Sequence, residues 1–173
     1  MKKIIFLDRD GTIIDEPKID QQVDDFSKLS FMAGVFKYLE KINNELGYDL
    51  VMVTNQDGLG TDSFPQDTFW PIQNFIIDSF KNENINFIDI LIDNSFEKQN
   101  LPSRKPGTLL VQRYMNDESI DLNSSFVIGD RETDLILQII LDVSQFIFLI
   151  HIQKLKHHLN LLTGRRFMNF LKD

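Results

Sequence analysis

Short apolar runs punctuate the chain and alternate with longer stretches of helical spacing. Ile4–Leu7, Leu50–Thr54, Phe87–Ile92, Phe126–Ile128 and Phe146–Ile150 are rich in Val, Ile and Phe, and their length suits strands buried on both faces. Between the first two runs, Val35, Leu39, Ile42 and Leu46 share one helical face, and Gly47 is a natural stop. Between the second and third, Phe69, Ile72, Ile76 and Phe80 repeat with the same spacing, with Pro71 near the start; Trp70 reads as further core. The stretch TLLVQRYMND after Pro106 predicts another helix. Leu135–Ile150 is the most apolar stretch, but Gln138, Asp142 and Gln145 interrupt it, so it reads as a buried helix followed by a strand and not as a membrane span. Strands alternating with helices predict an α/β fold, a Rossmann-like parallel sheet with helices on both faces.

Composition narrows the partners. A chain of 173 residues fits one domain, expected over 1–150, with a tail over 151–173 that carries no motif. Hydrophobic residues at 42% and charged residues at 25% are ordinary for a globular protein, which gives no ground for a fibrous or disordered reading. A net charge of −8 argues against nucleic acid or an anionic membrane as partner, but not against a small phosphate ester. The absence of cysteine excludes disulfides and thiolate metal sites and favours a reducing, cytoplasmic setting. The apolar run after Lys2 and Lys3 is too short for a signal peptide and is followed by two aspartates. His151, His157 and His158 lie beyond the motifs, and the last two read as a solvated helix face.

In parallel α/β sheets ligands bind beyond the carboxyl ends of the strands. Asp8-Arg9-Asp10-Gly11-Thr12 follows the first strand, Thr54-Asn55-Gln56-Asp57-Gly58 the second, and Gly129-Asp130-Arg131-Glu132-Thr133-Asp134 the fourth; the loop after the third ends in Ser103-Arg104-Lys105-Pro106. One sheet edge thus receives carboxylates, a hydroxyl and a lysine. Two carboxylates directly after a buried strand call for a cation. Such a set suits phosphoryl transfer: one carboxylate accepts the phosphoryl group, a second moves the proton, a divalent ion offsets charge repulsion, and a hydroxyl and a lysine hold the equatorial oxygens.

These motifs resemble the haloacid dehalogenase superfamily of phosphotransferases, whose pattern is D-x-D-G-T, then a strand-end Thr or Ser, then a Lys, then G-D-x-x-x-D. With VTNQDGLGTDSFP, RKPG and VIGDRETD added, Ile4–Asp134 is similar to the histidinol-phosphate phosphatase domain of a bifunctional histidine-biosynthesis enzyme. The resemblance implies Asp8 as nucleophile and Mg²⁺ ligand, Asp10 as general acid/base with its backbone carbonyl on the metal, and Asp130 as a further metal carboxylate. It implies Thr54, Asn55 and Lys105 on the phosphoryl group and Arg104 on the substrate. Asp134 would orient Lys105 or a metal-bound water. The short connections Thr12–Thr54 and Thr54–Lys105 leave little room for a cap, so a capless domain gated by loops such as Ile14–Phe31 is expected.

Two departures stand out. The family's third loop carries a structural zinc on Cys and His, whereas Asp93, Ser95, Leu101 and Ser103 stand at those positions here. A lone carboxylate cannot form a tetrahedral site, so zinc is expected to be absent, with Phe96 and Leu101 as packing substitutes. The helix after Asp134 lacks the family's small residues, and the chain ends at Asp173, without the dehydratase half. The expectation is a cytoplasmic Mg²⁺-dependent histidinol-phosphate phosphatase acting on a small phosphate ester, with a separate dehydratase as a conceivable associate. Its rivals are a heptose-bisphosphate phosphatase, a polynucleotide 3′-phosphatase, disfavoured by the acidic balance, and a non-catalytic binding remnant.

Overall fold

The computed structural model describes residues 1–145. Five strands, β1 (Lys3–Leu7), β2 (Tyr48–Asn55), β3 (Phe87–Asp93), β4 (Phe126–Ile128) and β5 (Ser144–Gln145), form one sheet in the order β3-β2-β1-β4-β5. Every neighbouring pair is parallel. The strand expected at Phe146–Ile150 and the tail beyond it lie outside the described residues.

Side chains alternate across the pleat and so divide the core into two layers. On one face Ile5, Leu7, Leu50 and Met52 pack against α1 (Val35–Glu40) and α2 (Gln66–Asn82). On the other, Ile4, Phe6, Val51 and Val53 pack against α3 (Gln112–Met115) and α4 (Glu132–Leu141). This is the doubly covered parallel sheet that the apolar runs predict. α1 widens into a π-type turn over Lys41–Glu45 and stops before Gly47, whose φ of +68° suits a residue without a side chain.

α2 buries Phe69, Ile72, Ile76 and Phe80, but Trp70 is 42% exposed, which corrects its reading as core. A residue adjacent in sequence lies about 100° around the helix from the stripe, so Trp70 turns outward, edge-on to Phe69. The helix expected in TLLVQRYMND is shorter: a 3₁₀ turn at Leu109–Val111 leads into the single turn of α3. Val111 and Tyr114 are its buried residues, and one turn seats both. Among the described residues, neither of the first two connections carries an inserted domain, and no helix is long and apolar enough to cross a membrane.

Candidate active site

β1 lies in the middle of the sheet, so the loops after β1, β2 and β4 meet at one edge. Asp8 stands directly beyond β1, and its Oδ1 accepts from the Arg9 N–H at 2.7 Å and from Lys105 Nζ at 2.8 Å. Lys105 also donates to Asp134 Oδ1 at 2.7 Å, while Asp134 Oδ2 accepts from the Arg131 N–H at 3.2 Å at the start of α4. Asp134 is thus in direct contact with Lys105. Carboxylate oxygens of Asp8, Asp130 and Asp134 lie within 4.8 Å of one another. Gly11 has a φ of +72°, and a Cβ there would run into the Asp130 carboxylate. The absence of a side chain thus lets the loops after β1 and β4 close on each other.

The electrostatics follow from crowding. Burial pushes the Asp8 carboxyl up to about 6, with Asp134 and Asp10 adding to the rise and Lys105 opposing it. Burial and the Asp8 charge also raise Asp130. Burial disfavours the Lys105 ammonium, but Asp8 and Asp134 outweigh it and hold the lysine above its ordinary value. Three converging carboxylates against one lysine leave an excess of negative potential. Hard oxygen donors in that setting fit a Mg²⁺ ion.

Thr54 is buried, and its Oγ1 accepts from Gln56 Nε2 at 2.8 Å. The Asn55 amide makes a two-point contact with the backbone of Lys105, accepting from its N–H at 3.0 Å and donating to its carbonyl at 3.2 Å. Its side chain fixes the lysine's loop to the end of β2. Arg104 Nη1 donates to Asp57 Oδ1 at 2.6 Å and to the Ser95 carbonyl at 2.8 Å.

Asp8, Asp10, Asn55, Arg104 and Lys105 line a cavity of about 180 Å³ together with Glu16, Asp20, Gln56, Asp57, Glu97 and Arg131. The loop after Ile14 supplies one wall through Glu16, Asp20, Gln21 and Gln22. Glu16 and Arg131 pair across the rim, and neither has a role in the sequence-based site. The sequence reading also passed over Arg9 and Gln56, which bond to Asp10, and Gln73, which bonds to Arg9. An arginine wedged between two aspartates at the end of a buried strand was the signal to follow.

The loop after β3 is held in a way the sequence did not foretell. Asp93 Oδ1 accepts from the Ser95 N–H at 2.9 Å and from its hydroxyl, and Asp93 Oδ2 accepts from Ser103 Oγ at 2.5 Å. Three of the four positions compared with zinc ligands thus bond to one another. Leu101 is exposed and contributes no packing clasp, whereas the Phe96 ring lies over Gly58, where a Cβ would be 2.6 Å from it.

A family model for polynucleotide kinase 3 phosphatase matches residues 3–144, a span that holds every motif above. The chain belongs to that family. The histidine biosynthesis bifunctional protein HisB of Spirosoma linguale is 49% identical over 149 residues, covering 86% of this chain and 39% of that protein. The protein of the same name from Bacteroides fragilis is 49% identical over 133 residues, covering 77% of this chain and 36% of that one. The chain therefore spans under two fifths of the length of these family relatives. D,D-heptose 1,7-bisphosphate phosphatase from B. bronchiseptica, solved with magnesium and phosphate, superposes with a TM-score of 0.70 at 21% identity, covering 82% of this chain and 76% of that one. The fold is accordingly that of haloacid-dehalogenase phosphatases.

Proposed function

We propose that this domain is a Mg²⁺-dependent phosphoric monoester hydrolase that converts histidinol phosphate to histidinol, in the cytoplasm. The observation that carries the chemistry is Asp8 lining the cavity, with Oδ1 engaged by Lys105 and the Arg9 N–H. In this reading Asp8 Oδ2 attacks phosphorus. The ester P–O bond breaks as the Asp8–phosphate bond forms, and the departing alkoxide takes a proton from Asp10. Asp10 then takes a proton from water, which attacks the aspartyl phosphate, frees inorganic phosphate and restores the Asp8 carboxylate. Lys105 and the Thr54 hydroxyl favour the phosphoryl oxygens, and Asn55 and Asp134 keep Lys105 in place. Asp8, Asp130 and the Asp10 backbone carbonyl would hold Mg²⁺, which offsets the repulsion between the phosphate and the carboxylates when bound.

The substrate reading is supported by the names of the relatives and by the rim. Glu16, Asp20, Asp57 and Glu97 make that rim acidic, which suits a small ester with a cationic ammonium and imidazole end. A sugar bisphosphate brings a second anion, and a polynucleotide brings many. The relatives are bifunctional and longer, so a separate dehydratase is the partner that the reading allows. The test is a panel of esters at equal Mg²⁺ and moderate salt. Histidinol phosphate is expected to exceed heptose bisphosphate and a 3′-phosphorylated oligonucleotide by at least about tenfold in kcat/KM, roughly 1.4 kcal/mol. Asp8→Asn should form no phosphoenzyme on any of them. Equal or reversed preference would refute the substrate, and an active Asp8→Asn would refute the covalent route.

A further inference from the structure

Arg9 is 0% exposed and is the largest fully buried side chain described. Its guanidinium is held at every nitrogen. Nε donates to Asp10 Oδ2 at 2.9 Å and Nη2 to Asp10 Oδ1 at 2.9 Å, a two-point fork on one carboxylate. Nη2 also donates to Gln56 Oε1 at 3.0 Å, and Nη1 to Gln73 Oε1 at 3.1 Å. The Phe69 ring lies 5.0 Å from the guanidinium carbon. Gln56 closes the ring of bonds by donating from Nε2 to Asp10 Oδ2 at 2.6 Å.

Neutralising Asp10 would need only a positive charge nearby. The arrangement here does more, because a planar fork on both oxygens fixes the plane of the carboxyl group as well as its position. The two oxygens also become unequal. Oδ2 receives two donors and Oδ1 receives one, so the remaining accepting capacity lies on Oδ1. Gln73 belongs to α2 and touches neither Asp10 nor the cavity, so its bond to Nη1 braces the arginine from behind.

We infer that Arg9, braced by Gln73 and Phe69 and joined by Gln56, is a positioning residue that aims Asp10 Oδ1 at the ester oxygen for proton transfer. This rests on the phosphatase reading. It differs from that reading in making proton transfer, and not attack by Asp8, the step that depends on Arg9. Esters of different leaving ability separate the two. An alkyl phosphate needs a proton on its leaving oxygen, whereas 4-nitrophenyl phosphate releases a stable anion without one.

The experiment measures kcat/KM, which reports the step that releases the alcohol, for histidinol phosphate and for 4-nitrophenyl phosphate in the wild type, Arg9→Lys and Gln73→Met, at saturating Mg²⁺. Lysine keeps the charge and loses the fork. The ratio of alkyl to aryl kcat/KM is expected to fall about a hundredfold in Arg9→Lys, within the range of general acid catalysis, and about fivefold in Gln73→Met. Should Arg9→Lys fail to fold, the Gln73→Met ratio decides. A ratio equal to wild type in the folded variants, with both esters slowed alike, overturns the inference and leaves Arg9 a structural residue. Wild type inactive on both esters overturns the phosphatase reading, and this inference with it.

Discussion

Asp8 carries two demands that conflict at the level of a single carboxyl group. It is buried among other carboxylates, and in the proposed reaction it must be ionised to attack. Its rise to about 6 expresses that conflict. The folded-state value lies above that of an unfolded aspartate, so without metal the folded state binds the extra proton. This contribution to stability is present at low pH and is lost as pH rises through about 6. A cation reverses the preference by favouring the ionised form, so metal and proton compete. Mg²⁺ at about a hundred times its Kd should stabilise the fold by about 2.7 kcal/mol where Asp8 is ionised, near pH ~7.5, and by much less near pH ~5. Thermal unfolding with and without Mg²⁺ at the two pH values checks this; an equal shift at both would remove Asp8 from the ligand set. At this scale Asp8 and Asp10 were legible in the sequence, because a charged group at the end of a buried strand is too costly to stand there without a partner, whereas Lys105, Asp130 and Asp134 came with the resemblance. The sequence did not show Arg9, Gln56 or Gln73, because their partners lie up to 64 positions away and become neighbours only in the folded sheet.

Elements were legible where periodicity is long and failed where it is short. The four strand runs from Ile4 to Ile128 and the stripe of α2 stand as read, since several residues repeat one spacing. α3 was overextended, since a single turn offers only Val111 and Tyr114 to mark its face. The loop after β3 was legible only as a loss of metal-ligand residues. Its replacement is a carboxylate with serine donors, a pattern that spacing alone does not reveal. Asp93 grips Ser95 and Ser103, the Ser95 carbonyl accepts from Arg104, and Lys105 follows next in the chain. We propose that this polar clasp holds Arg104 at the cavity. Asp93→Asn keeps the shape but offers no acceptor to one of the two serines. It is expected to lower kcat/KM about tenfold, and the loss should nearly vanish in an Arg104→Ala background, because residues acting through one another are not additive. Undiminished loss in that background would mean a general weakening of the fold. Elemental analysis of the purified protein is expected to find no stoichiometric zinc.

For the molecule as a whole, strand order decides what the motifs can do. β1 is paired on one side with β2 and on the other with β4, so three motifs distant in sequence share one edge. The alternation of apolar runs and helical stretches was enough to foresee that sheet, because burial on both faces leaves a parallel arrangement with helices on each side. The order of the strands was not legible from burial. One consequence falls on Gly11, at the seam between the loops of the two neighbouring strands. The space its missing side chain leaves is filled by Asp130. A single methyl group placed there changes no charge, removes no hydrogen-bonding group and lies outside the hydrophobic layers. It meets a carboxylate head-on and must also adopt a positive φ, a backbone cost of order 1 kcal/mol. Gly11→Ala should therefore yield a chain with the far-ultraviolet circular dichroism of the parent and a much weakened Mg²⁺ response. Such a variant would be a wedge driven into the seam, silencing the enzyme by spreading two loops while every reacting group remains in the chain.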